Sequence, residues 1–360
     1  MLLFLLAGFG AAHAQWEMEN SGTTADLRGI DNVGGGVAWA SGTNGTVLRT
    51  EDGGYLWQSC SVPPGAEHLD FRGIQAFDAN TAIAMSSGKG DLSRLYETTD
   101  GCYKWNQILK NDEEDGFWDA LVFQRSDFGY ISLPDEAMLI GDPLHGRFDT
   151  HFGYKRDHWF VDTAGCEAKP EEAAFAASNS SVVVLGLTRY VVGTGGKGGP
   201  RALISPKLLK GGVATDPCLE VEVPMAGGTE SAGIFSLALR DEQHLVAIGG
   251  DYAKPNESSG TAAYSSDAAR HWYAAVTPPH GYRSAVAYNA DAKTWITVGP
   301  NGTDVSTDDG LNWRALHPDP ALHEAPDADR NWNALSLPFV VGPHGRIGKL
   351  NPHALAPASH

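Results

Sequence analysis

At 360 residues the chain has room for one large all-β domain or two ordinary ones. Its 43 glycines and 20 prolines promise many turns and few long helices. With 44 acidic against 26 basic side chains it carries a formal charge of -18, which repels nucleic acid and anionic lipid and excludes both as partners.

The opening M-L-L-F-L-L-A-G-F-G-A-A-H-A-Q-W sets an apolar run before the small-x-small pattern Ala12-His13-Ala14. It reads as a secretory signal peptide over residues 1–14, cleaved after Ala14, with residues 15–360 forming a single domain. The run falls short of the roughly 20 apolar residues that a bilayer span requires, so stable membrane insertion is not expected. The expected destination is the periplasm or the medium, where disulfides persist.

Thr50-Glu51-Asp52-Gly53-Gly54-Tyr55-Leu56-Trp57 holds a hydroxyl, an acid, a glycine and a tryptophan at fixed offsets. The same frame recurs from Thr98 to Trp105, with Cys102 at the second glycine position, from Ser265 to Trp272, with Ala269 there, and from Ser306 to Trp313. A catalytic residue is rarely needed four times, whereas a structural unit is. Asp52, Asp100, Asp267 and Asp308 are therefore read as turn staples that accept backbone N–H bonds in a tight hairpin. Trp57, Trp105, Trp272 and Trp313 each start an outer strand and pack between units.

Trp57, Trp105, Trp159, Trp272 and Trp313 stand 48, 54, 113 and 41 residues apart, the longest gap holding two units. Such a period, with turn signals inside it, predicts four-stranded propeller blades. The first unit reads as strands at residues 27–30, 37–41, 46–50 and 57–60. Later inner strands are expected from Phe71, Asp119, Ala173, Phe235, Arg283 and Asn333, which makes seven blades. The last unit runs out after Leu350, one outer strand short, and Gln15-Trp16-Glu17-Met18 can supply it. Cys60, Cys102, Cys166 and Cys218 lack C-x-x-C spacing, which argues against zinc. Of three connectivities, Cys60 with Cys102 and Cys166 with Cys218 is favoured, since each pair joins neighbouring units.

The S-x-D-x-G-x-x-W frame resembles the Asp-box of BNR (sialidase-type) repeats. The stretches V-A-W-A-S-G-T-N-G-T-V-L-R-T-E-D-G-G, S-A-G-I-F-S-L-A, G-G-D-Y-A-K-P and G-Y-R-S-A-V-A-Y are similar to bacterial members of the photosystem II stability/assembly factor-like family. The resemblance implies an all-β, seven-bladed β-propeller with Asp-box turns that binds protein. Photosystem assembly is not carried over, because nothing in the sequence points to a photosynthetic cell.

Antiparallel strands place the Asp-box turns on one face and the long, variable loops on the other. Those loops carry Asp91 and Arg94, Asp142 and Arg147, and Asp251, Tyr252 and Lys254. The starts of inner strands add Arg28, Arg72 and Arg283 beside Tyr282, an arginine ring at the channel mouth suited to a carboxylate or an acidic peptide terminus. Pairing with Asp26, Asp70, Asp119 or Asp142 is the competing fate for these arginines. The expected function is an exported, monomeric, non-catalytic scaffold that binds a protein or peptide partner on this face, without cofactor or metal. The alternative is a sialidase-like hydrolase, with the arginines for a substrate carboxylate, Tyr252 or Tyr282 with Glu230 as nucleophile pair, and Asp142 or Asp251 as acid. No G-x-S-x-G or H-E-x-x-H motif occurs, and the thirteen histidines are scattered.

Overall fold

A computed structural model describes residues 15–124, 136–154, 156, 158–161, 165–186, 188–207, 216–320 and 324–355. The expected signal peptide, residues 1–14, lies outside them. The described strands form seven four-stranded antiparallel blades in sequence order around a central channel. Blade 1 comprises Leu27–Gly34, Val37–Gly42, Val47–Thr50 and Gln58–Ser59, from the innermost strand outward. The inner strands of blades 2, 3, 5, 6 and 7 are Phe71–Ala76, Trp118–Phe123, Ala232–Leu239, Ala285–Asn289 and Ala334–Ser336. Among the described residues no helix is long and apolar enough to cross a membrane.

Blade 7 takes its outer strand from the start of the chain. Trp16–Glu19 pairs antiparallel with Ile347–Leu350, Trp16 opposite Leu350 and Glu19 opposite Ile347. Trp16 is 2% exposed and packs on Trp332, ring centroids 6.0 Å apart. The seam is also stitched to blade 1, where Trp57 Nε1 donates to Glu19 Oε2 at 2.7 Å and Lys349 Nζ donates to the Gly53 carbonyl at 2.6 Å.

The four repeated turns share one hydrogen-bond pattern. The Oδ1 of Asp52, Asp100, Asp267 and Asp308 accepts the N–H four residues on at 2.9–3.0 Å and the hydroxyl two residues back at 2.9–3.1 Å. That hydroxyl in turn accepts the N–H of Gly54, Cys102, Ala269 or Gly310. These four residues have φ of 100, 67, 64 and 83°, so the glycine of the pattern answers a left-handed backbone that Cys102 and Ala269 adopt against preference. The N–H bonds of Leu56 and Lys104 are the main reason that Asp52 and Asp100 are held below the usual carboxylate range. The tryptophans that follow fill the seams between blades. Trp57 meets Phe339 edge to face at 5.5 Å, and Trp105 joins a cluster of Trp39, Val47 and Phe71 from blades 1 and 2.

Cys60 is bonded to Cys102 and Cys166 to Cys218. The first pair ties blade 1 to blade 2, the second blade 3 to blade 4. Closing loops of 42 and 52 residues, each stabilises the ring by about 4 kcal/mol through the unfolded chain.

Blade 4 corrects the expected strand layout. The segment from Ala173 to Ala176 is not its inner strand; the innermost paired strand is Val182–Leu185. Glu172–Ala173 instead pairs with Gly195–Gly196, and this short ribbon joins blade 5 through Gly195 and Gly233, giving a six-stranded sheet. The residues between, 174–181, run across the channel. Ser178 Oγ donates to the Ser284 carbonyl at 2.8 Å, and the Asn179 side chain takes the Leu121 N–H at 2.7 Å and donates to the Leu121 carbonyl at 3.0 Å. Ser180 Oγ meets Ser236 Oγ at 2.7 Å, and the Ser180 carbonyl accepts the Leu237 N–H. Blades 3, 5 and 6 all hold the segment, so it closes the channel as a plug. Its hydroxyl and amide groups find these partners in place of a ladder, which is why the apolar run before it misleads as a strand start.

Two outcomes follow from the closure and the turns. Deleting residues 15–20 should lower the thermal midpoint of the whole ring in one shifted transition, and Trp16→Ala alone should cost about 3–5 kcal/mol in chemical denaturation; fraying confined to blade 7 would contradict this. Ser306→Ala leaves the buried Gly310 N–H unsatisfied and should cost about 1–3 kcal/mol on the same measurement.

Candidate binding site at the channel mouth

The inner strands do not enter the ring as regular ladders. In four blades one extra residue is inserted against the neighbouring strand: Arg28, Arg72, Asp119 and Phe235, each between two successive pairs of the register. Such a bulge turns its side chain out of the sheet. Ser284 and Asn333 stand at the same place in blades 6 and 7, donating their N–H to the carbonyls of Val298 and Val341, which face the next residue. All six side chains line one cavity of about 450 Å³. The residue after each is small: a Cβ on Gly29 would stand 2.5 Å from Ser41 Oγ, and one on Gly73 would stand 2.7 Å from Asn179 Oδ1.

The plug forms the floor, with Ala174, Phe175 and Ala176 lining the cavity. It is held from the rim: the Ala174 N–H donates to Asp142 Oδ1 at 3.1 Å, and Arg72 donates to the Ala176 carbonyl at 3.2 Å. One wall is aromatic. Phe175 stacks on Phe235 at 3.9 Å with planes 12° apart, and Tyr282 meets Phe235 edge-on at 4.8 Å. Tyr252 lies against both Phe235 and Tyr282 and is 53% exposed. Burial pushes the Tyr282 hydroxyl far above its ordinary pKa, so it stays a neutral donor.

The opposite wall is charged. Asp70 lies between two guanidinium groups, its Oδ2 2.9 Å from Arg72 Nε in a directed hydrogen bond and its Oδ1 2.9 Å from Arg28 Nε in an ion contact off the hydrogen-bond axis. Both arginine side chains keep about 30% of their surface exposed, and one carboxylate is shared between two cations. Asp142 is pushed up to about 6 by burial, against the opposing Ala174 N–H bond. Asp119 is raised well above the carboxylate range by burial and by the charge of Asp142, with Arg72 acting the other way. Near neutral pH the mouth therefore sets the two arginines and Asp70 beside a largely ionised Asp142, with Asp119 biased towards its protonated form. Among the described residues no group of three His, Cys, Asp or Glu side chains is disposed to hold a metal ion.

Of the residues singled out from sequence, Arg28, Arg72, Asp142, Tyr252 and Tyr282 come together here. Arg283 does not, and this is a correction. It stands one position before the bulge site, in register with Leu27, Phe71 and Trp118, so its side chain falls on the opposite side of the strand. There it is 1% exposed and paired with the fully buried Asp304, its Nε 2.8 Å from Asp304 Oδ2. Asp91 and Arg94 pair with each other in the loop of blade 2, and Arg147 pairs with Glu167 at 2.8 Å. Asp251 is buried under the Ser231 hydroxyl and the Ala253 N–H. With Lys254 it borders a separate cavity of about 520 Å³. The hydrolase constellation is not assembled, because Glu230 is held by Lys197 at 3.0 Å and is not among the residues lining the mouth. Sequence reasoning missed Phe175, Phe235 and Ser284; aligning the inner strands on their small residue would have found the last two.

No family model matches the chain, and neither does any curated protein sequence. Solved structures do match in fold. YCF48 from Cyanidioschyzon merolae has a TM-score of 0.63 at 16% identity, over 94% of this chain and 100% of that one. A structure of YCF48 bound to D1 peptide gives 0.57 at 14% identity, over 94% and 98%. The WD40 β-propeller domain of Doa1 gives 0.60 at 10% identity, over 95% and 99%. At such identities the likeness is one of fold.

Proposed function

We propose that the chain is a non-catalytic propeller, exported and monomeric, that holds the carboxylate end of a protein or peptide partner in its channel mouth and acts as a rigid scaffold. The observation that carries this reading is the convergence of Arg28 and Arg72 with an aromatic wall on one blind cavity. Two guanidinium groups sharing one aspartate retain N–H donors for a second carboxylate, and bidentate pairing would fix its orientation. The stacked Phe175 and Phe235 with Tyr282 would take an apolar side chain next to it. A propeller of the same fold has been solved with a peptide bound, YCF48 with D1 peptide, which lends support to a peptide as ligand. The repeat motifs resemble those of the BNR and photosystem II assembly factor-like families, and of the two it is the latter that supports a protein-binding role. Export is supported by the apolar opening and by the two disulfides, which belong to oxidising compartments.

An array of peptides with free or amidated C-termini, probed with residues 15–360, tests the reading. A subset with free carboxylates should bind, and Arg28→Ala with Arg72→Ala should weaken these roughly 10- to 100-fold while the fold is retained. Equal binding of the amidated series would sink it. Asp142 adds a pH dependence. Above about 6 it is charged and repels a carboxylate ligand; below, it is neutral, so affinity should rise several-fold between pH 7.5 and 5.5. Asp142→Asn should abolish that rise.

A further inference from the structure

We propose that Asp119 meets the ligand as a carboxylic acid, donating its O–H to an acceptor oxygen of the bound group beside Arg72. The proposal rests on the reading of the mouth as a carboxylate site and names a further residue that recognises the ligand. Asp119 is the bulged residue of blade 3, is 2% exposed and lines the cavity. Its Oδ2 is sealed from water and has no hydrogen-bond partner among the described residues, so an O–H that reaches a guest would sit on Oδ1. A charged carboxylate in that place would be buried and unsatisfied, at a cost that ionisable groups avoid by taking up a proton.

The groups that face it are already committed. Arg72, from blade 2, is engaged with Asp70 and the Ala176 carbonyl. Asp142, from the second strand of blade 3, accepts the Ala174 N–H. Asp149, from the third strand, accepts Trp118 Nε1 at 3.2 Å and meets His151 Nε2 at 2.9 Å. Arg72 is the cation that acts on Asp119 among the described residues, and it is outweighed by burial and by the two carboxylates. A protonated carboxyl offers one O–H donor, and O–H to carboxylate bonds are short and strong. An acidic residue among the arginines of the mouth then adds to the donor set, where an ionised one would repel the guest.

Isothermal titration with N-acetylphenylalanine, with N-acetylphenylalaninamide as control, tests this on residues 15–360. Wild type should bind the acid and not the amide. Asp119→Asn, which keeps a donor and cannot ionise, should stay within about threefold, while Asp119→Leu should lose roughly tenfold or more. Above about pH 8, clear of the range in which Asp142 titrates, wild type should weaken as the pH rises and Asp119→Asn should not. Full binding by Asp119→Leu, or identical pH profiles for wild type and Asp119→Asn, overturns the donor role alone. If Asp119→Leu fails to fold by circular dichroism, the pH comparison decides. If wild type binds neither compound, the carboxylate reading of the mouth falls and the role of Asp119 falls with it.

Discussion

The pairing of Trp16–Glu19 with Ile347–Leu350 closes the ring, and every other arrangement in the molecule presupposes it. Each blade buries its faces only against two neighbours, and with an open seam blades 1 and 7 would each lose one. Trp57 packs on Phe339 across that seam, and Asn333 Nδ2 reaches the Leu27 carbonyl at 2.8 Å. The same contact brings the Arg28 and Asn333 sides of the mouth together. The geometry of the candidate site is thus set by the two ends of the chain meeting, far apart in sequence and joined by backbone hydrogen bonds.

Much of this architecture was legible because the repeat is written in residues whose physical reasons are local. A hydroxyl, an aspartate, a left-handed position and a tryptophan specify a turn within eight residues, and four copies give the period. Seven blades and the borrowed strand follow from counting. Blade 4 was not legible in the same way. Ala173 to Ala176 is a short apolar run that reads acceptably as a strand, but the partners of Ser178, Asn179 and Ser180 lie in blades 3, 5 and 6, and no local rule reports them. The site was legible in part. Arg28 and Arg72 follow from their place before Gly29 and Gly73, whereas Arg283 was misplaced by one residue, enough to turn a side chain from the channel into the blade. Phe235 was hidden by its chemistry, since a phenylalanine at a strand start reads as core.

The mouth shows how a regular scaffold obtains a varied surface. The same bulge recurs around the ring, so the backbone delivers equivalent positions, and the chain fills them with arginine, arginine, aspartic acid, phenylalanine, serine and asparagine. Cations gather on the side of blades 1 and 2, aromatic rings on the side of blade 5. The two chemistries thus stand apart across one recess, while the repeated turns are fixed by their own hydrogen bonds.

The plug gives the ring a direction. With residues 174–181 spanning the axis, the propeller is a cup and not a pipe: nothing threads it, and a guest enters and departs through the same rim. A cup of this kind is reached from one side only, so the rest of any molecule that entered it would stay outside the rim.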